Sequence, residues 1–181
     1  MNILKNILIN YSNWKIKNFN IKNKRYFKSM NILDARKIGI IFDASIDSNI
    51  DLIKKFTSDI STKNNNIVTL GYIDSNQKDI NYSPSMYFNF FFKKDIDFLG
   101  QPKSKVVDKF LFNNFDILIN FSLDEILPLK YISTFSKSVF KVGKFNKNEN
   151  IYDFTITSKE NSSLEKFLSD TLHYLELIKN N

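Results

Sequence analysis

The sequence predicts an α/β protein: a three-layer, Rossmann-like domain with a mostly parallel sheet of about six strands, preceded by a basic N-terminal helical arm. Short unbroken apolar runs alternate along the chain with longer segments whose apolar residues recur at helical spacing. Unbroken runs are typical of strands covered on both faces, and strands that alternate with helices favour a parallel sheet between helical layers. We therefore divide the chain into an arm (residues 1–37) and a single domain (residues 38–181).

The clearest unit is FDILINFSLDEILPLKYISTFS, residues 115–136. The run Ile117–Ile119 predicts a buried strand. Ser122 and Glu125 have the spacing of a capping box, in which the hydroxyl and the carboxylate each bind a backbone amide at a helix start. Pro128 lacks an amide hydrogen and suits a first helical turn. We expect one helical turn at Leu123–Leu127 and a main helix that runs from Pro128.

The other elements follow the same alternation, with right-handed crossovers between parallel strands. The apolar runs predict further strands at 38–44, 67–73, 86–92, 139–143 and 152–156. Helical spacing predicts a helix at 47–60 with Ser48 or Asn49 as its cap, and a helix at 104–112 with Ser104 as its cap. A last helix is predicted from the capping-box pattern Ser162–Glu165 onward. The sequence leaves the directions of the third and sixth strands open.

Composition excludes several classes of site and location. The 181 residues include no cysteine and one histidine, which excludes disulfides, thiolate metal sites and multi-histidine metal sites. His173 lies off the apolar stripe of the last helix, so we expect it on the surface. No apolar run approaches the roughly 20 residues that span a bilayer. The start, MNILKNILIN, lacks the pattern of a signal peptide, and we expect a cytoplasmic protein.

Positive charge is concentrated in the arm. Residues 1–37 hold nine basic residues and one acid, a net charge of +8, which exceeds the +7 of the whole chain and leaves −1 for residues 38–181. An amphipathic helix is predicted over residues 1–15, with an apolar stripe of Ile3, Leu4, Ile7, Leu8, Tyr11 and Trp14. This stripe suits packing on the domain, contact with an anionic membrane or docking on a partner.

Aromatic residues are interleaved with the basic ones directly after this helix. Phe19, Tyr26 and Phe27 would stack on bases, and the cations would contact phosphates, as in single-stranded nucleic-acid binding. A solvated linker is the alternative. The candidate residues for an anionic partner are Lys15, Lys17, Lys22, Lys24, Arg25 and Lys28.

Polar side chains follow three of the predicted strands and form the candidate ligand site. Such sheets bind ligands beyond the carboxyl ends of their strands. The candidates there are Asp43, Ser45, Asp74, Ser122 and Asp124, with capping of the next helix as the alternative role. Lys103 and Ser104, at a predicted helix start, are candidates for binding an anion. Acids beside a phosphate would suit magnesium, although nothing in the sequence demands a cofactor.

Motifs for dinucleotides and catalysis are missing. The turn after the first strand, residues 43–49, has no glycine, so it does not match G-x-G-x-x-G, and the chain has no G-x-x-x-x-G-K sequence. Without cysteine, and without glycine beside Ser122, the usual forms of nucleophilic catalysis have no support.

The segments IGIIFDA, FDILINFSLDEILPLKYIS, SKSVFKVGKF and YDFTI together resemble an uncharacterised bacterial family of unknown function, typical of Bacteroidota. The second and third segments are also faintly similar to the N-terminal domain of heptosyltransferase-like glycosyltransferases, which need a second domain for the sugar nucleotide. The first resemblance implies a small cytoplasmic protein and supplies no catalytic residues.

Two functions follow from these observations as expectations. The first is a non-enzymatic binding module that docks through its basic arm on RNA or a ribonucleoprotein, or on an anionic membrane surface. The second is a small-molecule or nucleotide-binding enzyme with its site at the carboxyl ends of the strands.

Overall fold

The computed structural model describes residues 3–22, 25–76, 88–147, 150–158 and 162–179, with side chains described for residues 10–19 of the first helix. It contains one six-stranded sheet: β1 Lys37–Asp43, β2 Asn66–Ile73, β3 Phe88–Phe92, β4 Ile117–Phe121, β5 Phe140–Lys144 and β6 Phe154–Ile156. The helices are α1 Ile3–Lys22, α2 Asp47–Asp59, α3 Lys105–Leu111, α4 Leu127–Phe135 and α5 Leu164–Leu177. Each of the six predicted strands is present, although residues 86–87 of the third lie outside the described residues.

The strand order is β3-β2-β1-β4-β5-β6, and every neighbouring pair is parallel. The predicted three-layer, Rossmann-like class is therefore confirmed, and β3 and β6 run parallel to the rest. The chain builds outward from β1 to β3 and then crosses back to place β4 on the other side of β1. The carboxyl ends of β1 and β4 thus flank the point where the winding reverses, which is where such sheets bind ligands.

Two apolar cores cover the faces of the sheet. One core joins the sheet to α2 and α5, where Phe121 meets Phe56 and Phe167 edge to face. The other joins the sheet to α3 and α4, where the Phe110 and Phe115 rings lie 4.8 Å apart. Gly39 is required here, because a Cβ atom at this position would lie 2.8 Å from the Phe115 ring. The unbroken apolar runs of the strands arise because both faces are buried.

The predicted capping box at Ser122 is wrong. Both the amide and the hydroxyl of Ser122 donate to Asn120 Oδ1, at 3.1 and 2.7 Å, so the Ser122 side chain binds the preceding strand instead of a helix start. No helical turn forms over residues 123–126, and α4 begins at Leu127 with Pro128 in its first turn, close to the predicted start of the main helix.

Two other predicted caps also differ from the structure. Ser163, not Ser162, caps α5, and its hydroxyl accepts from the amide of Lys166. Helix α2 begins at Asp47 without a side-chain cap, and the Asn49 side chain donates instead to the backbone of Asp43.

Helix α1 packs on α4, with a face that differs from the predicted stripe. Ser12 and Ile16 are buried, and the Phe19 ring lies 4.3 Å from that of Phe135. Tyr11 and Trp14 are exposed, Trp14 by 59%. The Ser12 hydroxyl donates to the backbone of Leu99 and the Lys15 ammonium donates to the Gln101 side chain, so polar contacts help to select the buried face. The side chains of Ile3, Leu4, Ile7 and Leu8 lie outside the described residues.

Arg25 holds the segment after α1 against the domain. Its guanidinium donates to the carbonyls of Ser138 and Val139, at 2.6 and 2.5 Å, and pairs with Asp153. Further along the arm, Asn31 donates to the carbonyls of Glu176 and Ile178 in the C-terminal region, and Ile32 is buried in the core. The division into residues 1–37 and 38–181 stays a prediction. Within the described part of the chain, no helix is long and apolar enough to cross a membrane.

Candidate functional site

A cleft of about 440 Å³ opens beside the carboxyl ends of β4 and β5. This volume lies within the range of about 300–1,000 Å³ that is usual for small-molecule sites. The cleft lies at the carboxyl edge of the sheet, where parallel sheets bind ligands, on the side of β4 away from the β1–β4 reversal point. The turn after β4, the start of α4 and the residues after β5 enclose it. The lining residues are Asn120, Ser122, Leu123, Asp124, Glu125, Ile126, Lys130, Lys144, Phe145, Asn146, Lys147 and Tyr152.

A buried network of polar side chains lies at the base of this cleft. Asn120 is buried within β4, and its amide nitrogen lies 2.7 Å from the Tyr152 hydroxyl and 3.5 Å from the Ser133 hydroxyl. Tyr152 lies across β5 at Gly143, where a Cβ atom would stand 2.6 Å from the tyrosine ring. Because Asn120 Oδ1 also accepts both donors of Ser122, these side chains hold one another in fixed orientations.

Charged side chains surround the base. Lys130 is only 8% exposed, and its ammonium lies 2.7 Å from Glu125 Oε1 and 3.0 Å from Asn13 Oδ1 of α1. The Lys144 ammonium donates to the backbone of Leu123 at 2.7 Å, which ties the turn after β4 to the end of β5. Among the charged cleft residues, Asp124, Glu125 and Lys147 are exposed. The cleft thus presents ammonium groups, carboxylates, an amide and a phenol to one space.

Two predicted site residues, Ser122 and Asp124, lie in this cleft. Asp43, Ser45 and Asp74 form a separate group at the ends of β1 and β2. Asp43 Oδ1 accepts from the amide of Ser45, and the Ser45 hydroxyl accepts from the amide of Asp74, each at 2.9 Å. These side chains therefore organise the connections between elements. Their predicted role in ligand binding stays a prediction.

Asp74 also has charged and polar partners, which are Lys93 Nζ at 2.9 Å and the Tyr72 hydroxyl at 3.1 Å. Burial, with the adjacent Asp74 carboxylate, raises the pKa of Tyr72 well above its ordinary value. Three amides in and after the turn that follows β1 already have partners: Ala44 N donates to the Tyr72 carbonyl, Ser45 N to Asp43 Oδ1 and Asn49 N to the Ile46 carbonyl. These three amides are therefore not open to a phosphate in the way that the amides of a glycine-rich turn are.

Lys103 and Ser104 lie outside the cleft lining, at the start of α3. The Lys103 ammonium pairs with Asp97 at 3.1 Å, and the Ser104 hydroxyl caps α3 by accepting from the amide of Val107. The capping role of Ser104 is confirmed. Anion binding by these two residues stays a prediction, since both side chains have partners within the chain.

The candidate residues of the arm differ in their surroundings. Lys15 lies 5.9 Å from the centre of the Tyr131 ring and donates to Gln101, and Arg25 is held by Asp153. Lys17 and Lys28 are exposed. The Lys22 side chain and all of Lys24 lie outside the described residues.

Lys141 is a buried lysine that we did not predict as a notable residue. It lies in β5, and its ammonium donates to the Thr134 carbonyl at 3.0 Å. Burial, helped by the nearby Arg25 guanidinium and opposed by the Asp153 carboxylate, lowers the pKa of Lys141 to about 7. The sequence feature that could have identified Lys141 is the presence of a lysine inside an otherwise apolar strand.

Sequence reasoning also missed several polar cleft residues, among them Asn120, Lys130, Lys144, Lys147 and Tyr152. Asn120 could have been identified in the same way as Lys141, because it is a polar residue inside an apolar strand.

His173 is exposed, as predicted. In the ranges that the structure describes, no group of three or more His, Asp or Glu side chains is arranged to hold a metal ion.

The chain belongs to a family of unknown function (DUF6913), whose model matches residues 7–178. No curated protein and no solved structure matches the chain. The family match agrees with the resemblance to an uncharacterised family. It gives no support to a typical occurrence in Bacteroidota or to the likeness with heptosyltransferase-like enzymes.

Proposed function

We propose that this member of DUF6913 binds a small polar ligand in the cleft beside the carboxyl ends of β4 and β5. The cleft itself carries the proposal: about 440 Å³ of space over a hydrogen-bonded polar base, at the edge of the sheet where parallel α/β proteins bind ligands. Fixed polar groups inside a cleft favour binding, because little side-chain freedom is lost when the ligand enters.

The alternative of a small-molecule or nucleotide-binding enzyme concerns the same space. If a reaction takes place, the groups available for proton transfer are Tyr152, Lys144 and Glu125. Asp43 and Asp74 belong to the other group of strand-end residues. A catalytic role is therefore proposed for the cleft residues alone.

Thermal shift of the full chain against a panel of neutral, anionic and cationic metabolites tests ligand binding. A ligand at 100 times its dissociation constant adds about 2.7 kcal/mol to stability. Asp124→Trp places a large side chain at an exposed position of the cleft wall, so it should abolish the shift. Asp59→Trp, at an exposed position at the end of α2, is the control and should keep it. If no compound raises the Tm, or if Asp124→Trp leaves the shift intact, the proposal fails.

We also propose a second function, non-enzymatic docking of the N-terminal region on RNA or a ribonucleoprotein. Its specific support is a set of exposed aromatic side chains among exposed cations. Tyr26 is fully exposed, Phe27 and Trp14 are more than half exposed, and Lys17 and Lys28 lie near them in sequence. Stacking on bases with phosphate contacts fits this combination. A cytoplasmic location is part of this proposal.

The docking test uses surface substitutions rather than deletion of the arm, because α1 and Arg25 pack on the domain. Affinity for single-stranded RNA should fall steeply with salt and should drop further in the variant Tyr26→Ala with Lys28→Ala. Substituting the exposed Lys63 alone to Ala provides the control. Retention of the protein on vesicles of anionic lipid is measured as well, to distinguish membrane binding from RNA binding. Retention on vesicles without RNA binding, or binding to neither, would contradict the RNA proposal.

A further inference from the structure

The cations around the cleft outnumber its acids. Lys130, Lys144 and Lys147 line it together with Asp124 and Glu125. Glu125 is matched by Lys130, whose ammonium lies 2.7 Å away. Lys144 and Lys147 then face a single further carboxylate, that of Asp124, so the lining as a whole carries a net charge of +1.

The two remaining lysines differ in what holds them. Lys144 is half-buried at the last position of β5, and its contact with the Leu123 carbonyl uses one of the three N–H donors of its ammonium. Lys147 follows three residues later and is exposed. The Leu123 carbonyl is neutral, so this contact does not cancel the charge of an ammonium at Lys144, and a charge in a cleft acts more strongly than in open water.

Apolar side chains lie beside these cations. Leu123 and Ile126 line the cleft between β4 and α4, and the ring of Phe145 lies next to Lys144 in sequence with half of its surface exposed. A bare inorganic anion would leave this apolar surface uncovered. An organic anion would meet the lysines with its charged end and these side chains with its body.

We infer that the ligand of the cleft is a small organic anion, with a carboxylate or phosphate group received by Lys144 and Lys147 and an apolar or aromatic body against Leu123, Ile126 and Phe145. This inference rests on the proposed binding function of the cleft. It adds the charge and the shape of the ligand, which that proposal leaves open.

Isothermal titration of the full chain with matched probes tests the inference. AMP and benzoate represent the phosphate and the carboxylate, and adenosine and benzamidine are their neutral and cationic counterparts. We expect at least one anion to bind about tenfold or more tightly than its counterpart, and its affinity to fall with salt. Which of the two anions binds identifies the charged group.

Substitutions assign the effect to residues. Lys147→Met, at an exposed position, should weaken the anion about tenfold, and Lys144→Met should weaken it at least as much. Lys63→Met, at an exposed position outside the lining, should have no effect. Because Lys144 also ties the turn after β4, the melting temperature of each variant is measured, and Lys147→Met keeps the test decisive if Lys144→Met fails to fold.

The outcomes separate the two proposals. If adenosine or benzamidine binds as tightly as its anionic counterpart and Asp124→Trp abolishes that binding, the cleft is a ligand site and the anion inference is overturned. Unchanged anion affinity in Lys147→Met also overturns it. If no probe of any charge binds, the inference and the proposed function fall together.

Discussion

Replacing Lys141 by methionine should change how the stability of the protein depends on pH. Lys141 is 4% exposed in β5, with its ammonium on the Thr134 carbonyl. Burial and the nearby Arg25 guanidinium lower the pKa of Lys141 to about 7 in the folded chain, against 10.5 for an ordinary lysine. Methionine has a similar length and carries no charge, so it removes the titration while filling most of the space.

The direction follows from the protons bound in each state. Between pH 7 and 10.5 the unfolded chain keeps a proton on Lys141 that the folded chain has lost, so the free energy of unfolding rises with pH by up to about 1.4 kcal/mol per pH unit. Below pH 7 both states are protonated and this slope disappears. The contribution is therefore complete above the unfolded pKa and is lost as the pH falls from 10.5 to 7.

Urea unfolding at pH 6, 7, 8 and 9 measures the effect. Because half of the folded molecules are already deprotonated at pH 7, the wild type should gain about 2 kcal/mol relative to Lys141→Met from pH 7 to 9. At pH 6 the folded wild type buries an ammonium, so Lys141→Met should be the more stable of the two. The series stops at pH 9, because the raised pKa of Tyr72 makes that residue destabilising only above pH 10. Lys63→Met is the exposed control. Parallel curves for wild type and Lys141→Met would refute the reasoning.

Three further substitutions test the packing. Gly39→Ala should lower the free energy of unfolding by about 1–3 kcal/mol, because the new Cβ would overlap the Phe115 ring. Phe115→Leu in the same chain should recover part of this loss, and chemical denaturation measures both effects. Tyr152→Phe should lower the free energy of unfolding by about 1–3 kcal/mol, because it removes the hydroxyl that accepts from the buried Asn120 amide. Tyr174→Phe, at an exposed position, should change this free energy little. Arg25→Ala should speed hydrogen exchange in residues 25–31, while exchange in the central strands stays slow. Equal losses at both tyrosines, no recovery with Phe115→Leu, or unchanged exchange would contradict these expectations.

Local pattern predicted all six strands and all five α-helices of the described part of the chain, although it also predicted a helical turn at Leu123–Leu127 that does not form. The runs Ile38–Ala44 and Ile67–Ile73 predicted β1 and β2 to within a residue, because strands that are buried on both faces consist almost entirely of apolar residues. Pro128 marked the first turn of α4, since its ring excludes it from positions deeper in a helix. The alternation of these elements fixed the class of the fold.

The candidate site was only partly predictable. The rule that ligands bind at the carboxyl ends of strands pointed to Ser122 and Asp124, which line the cleft. The same rule pointed to Asp43 and Asp74, which lie in a separate group and have partners of their own: an amide for Asp43, and an ammonium and a hydroxyl for Asp74. Residue type and position along a strand do not reveal which acid has a partner.

Only the tertiary structure decided the contacts between residues distant in sequence. Ser122 has the spacing of a helix cap, yet the Asn120 side chain competes successfully for its amide and hydroxyl. In the sequence Arg25 does not differ from the other cations of the arm, and only the fold places it beside Asp153. Tyr152 contacts Asn120 only because Gly143 leaves room for the tyrosine ring. The sequence determined which segments are buried, because burial follows from local apolar pattern. The fold alone determined which polar groups meet, because hydrogen bonds and ion pairs depend on distances that local pattern does not encode.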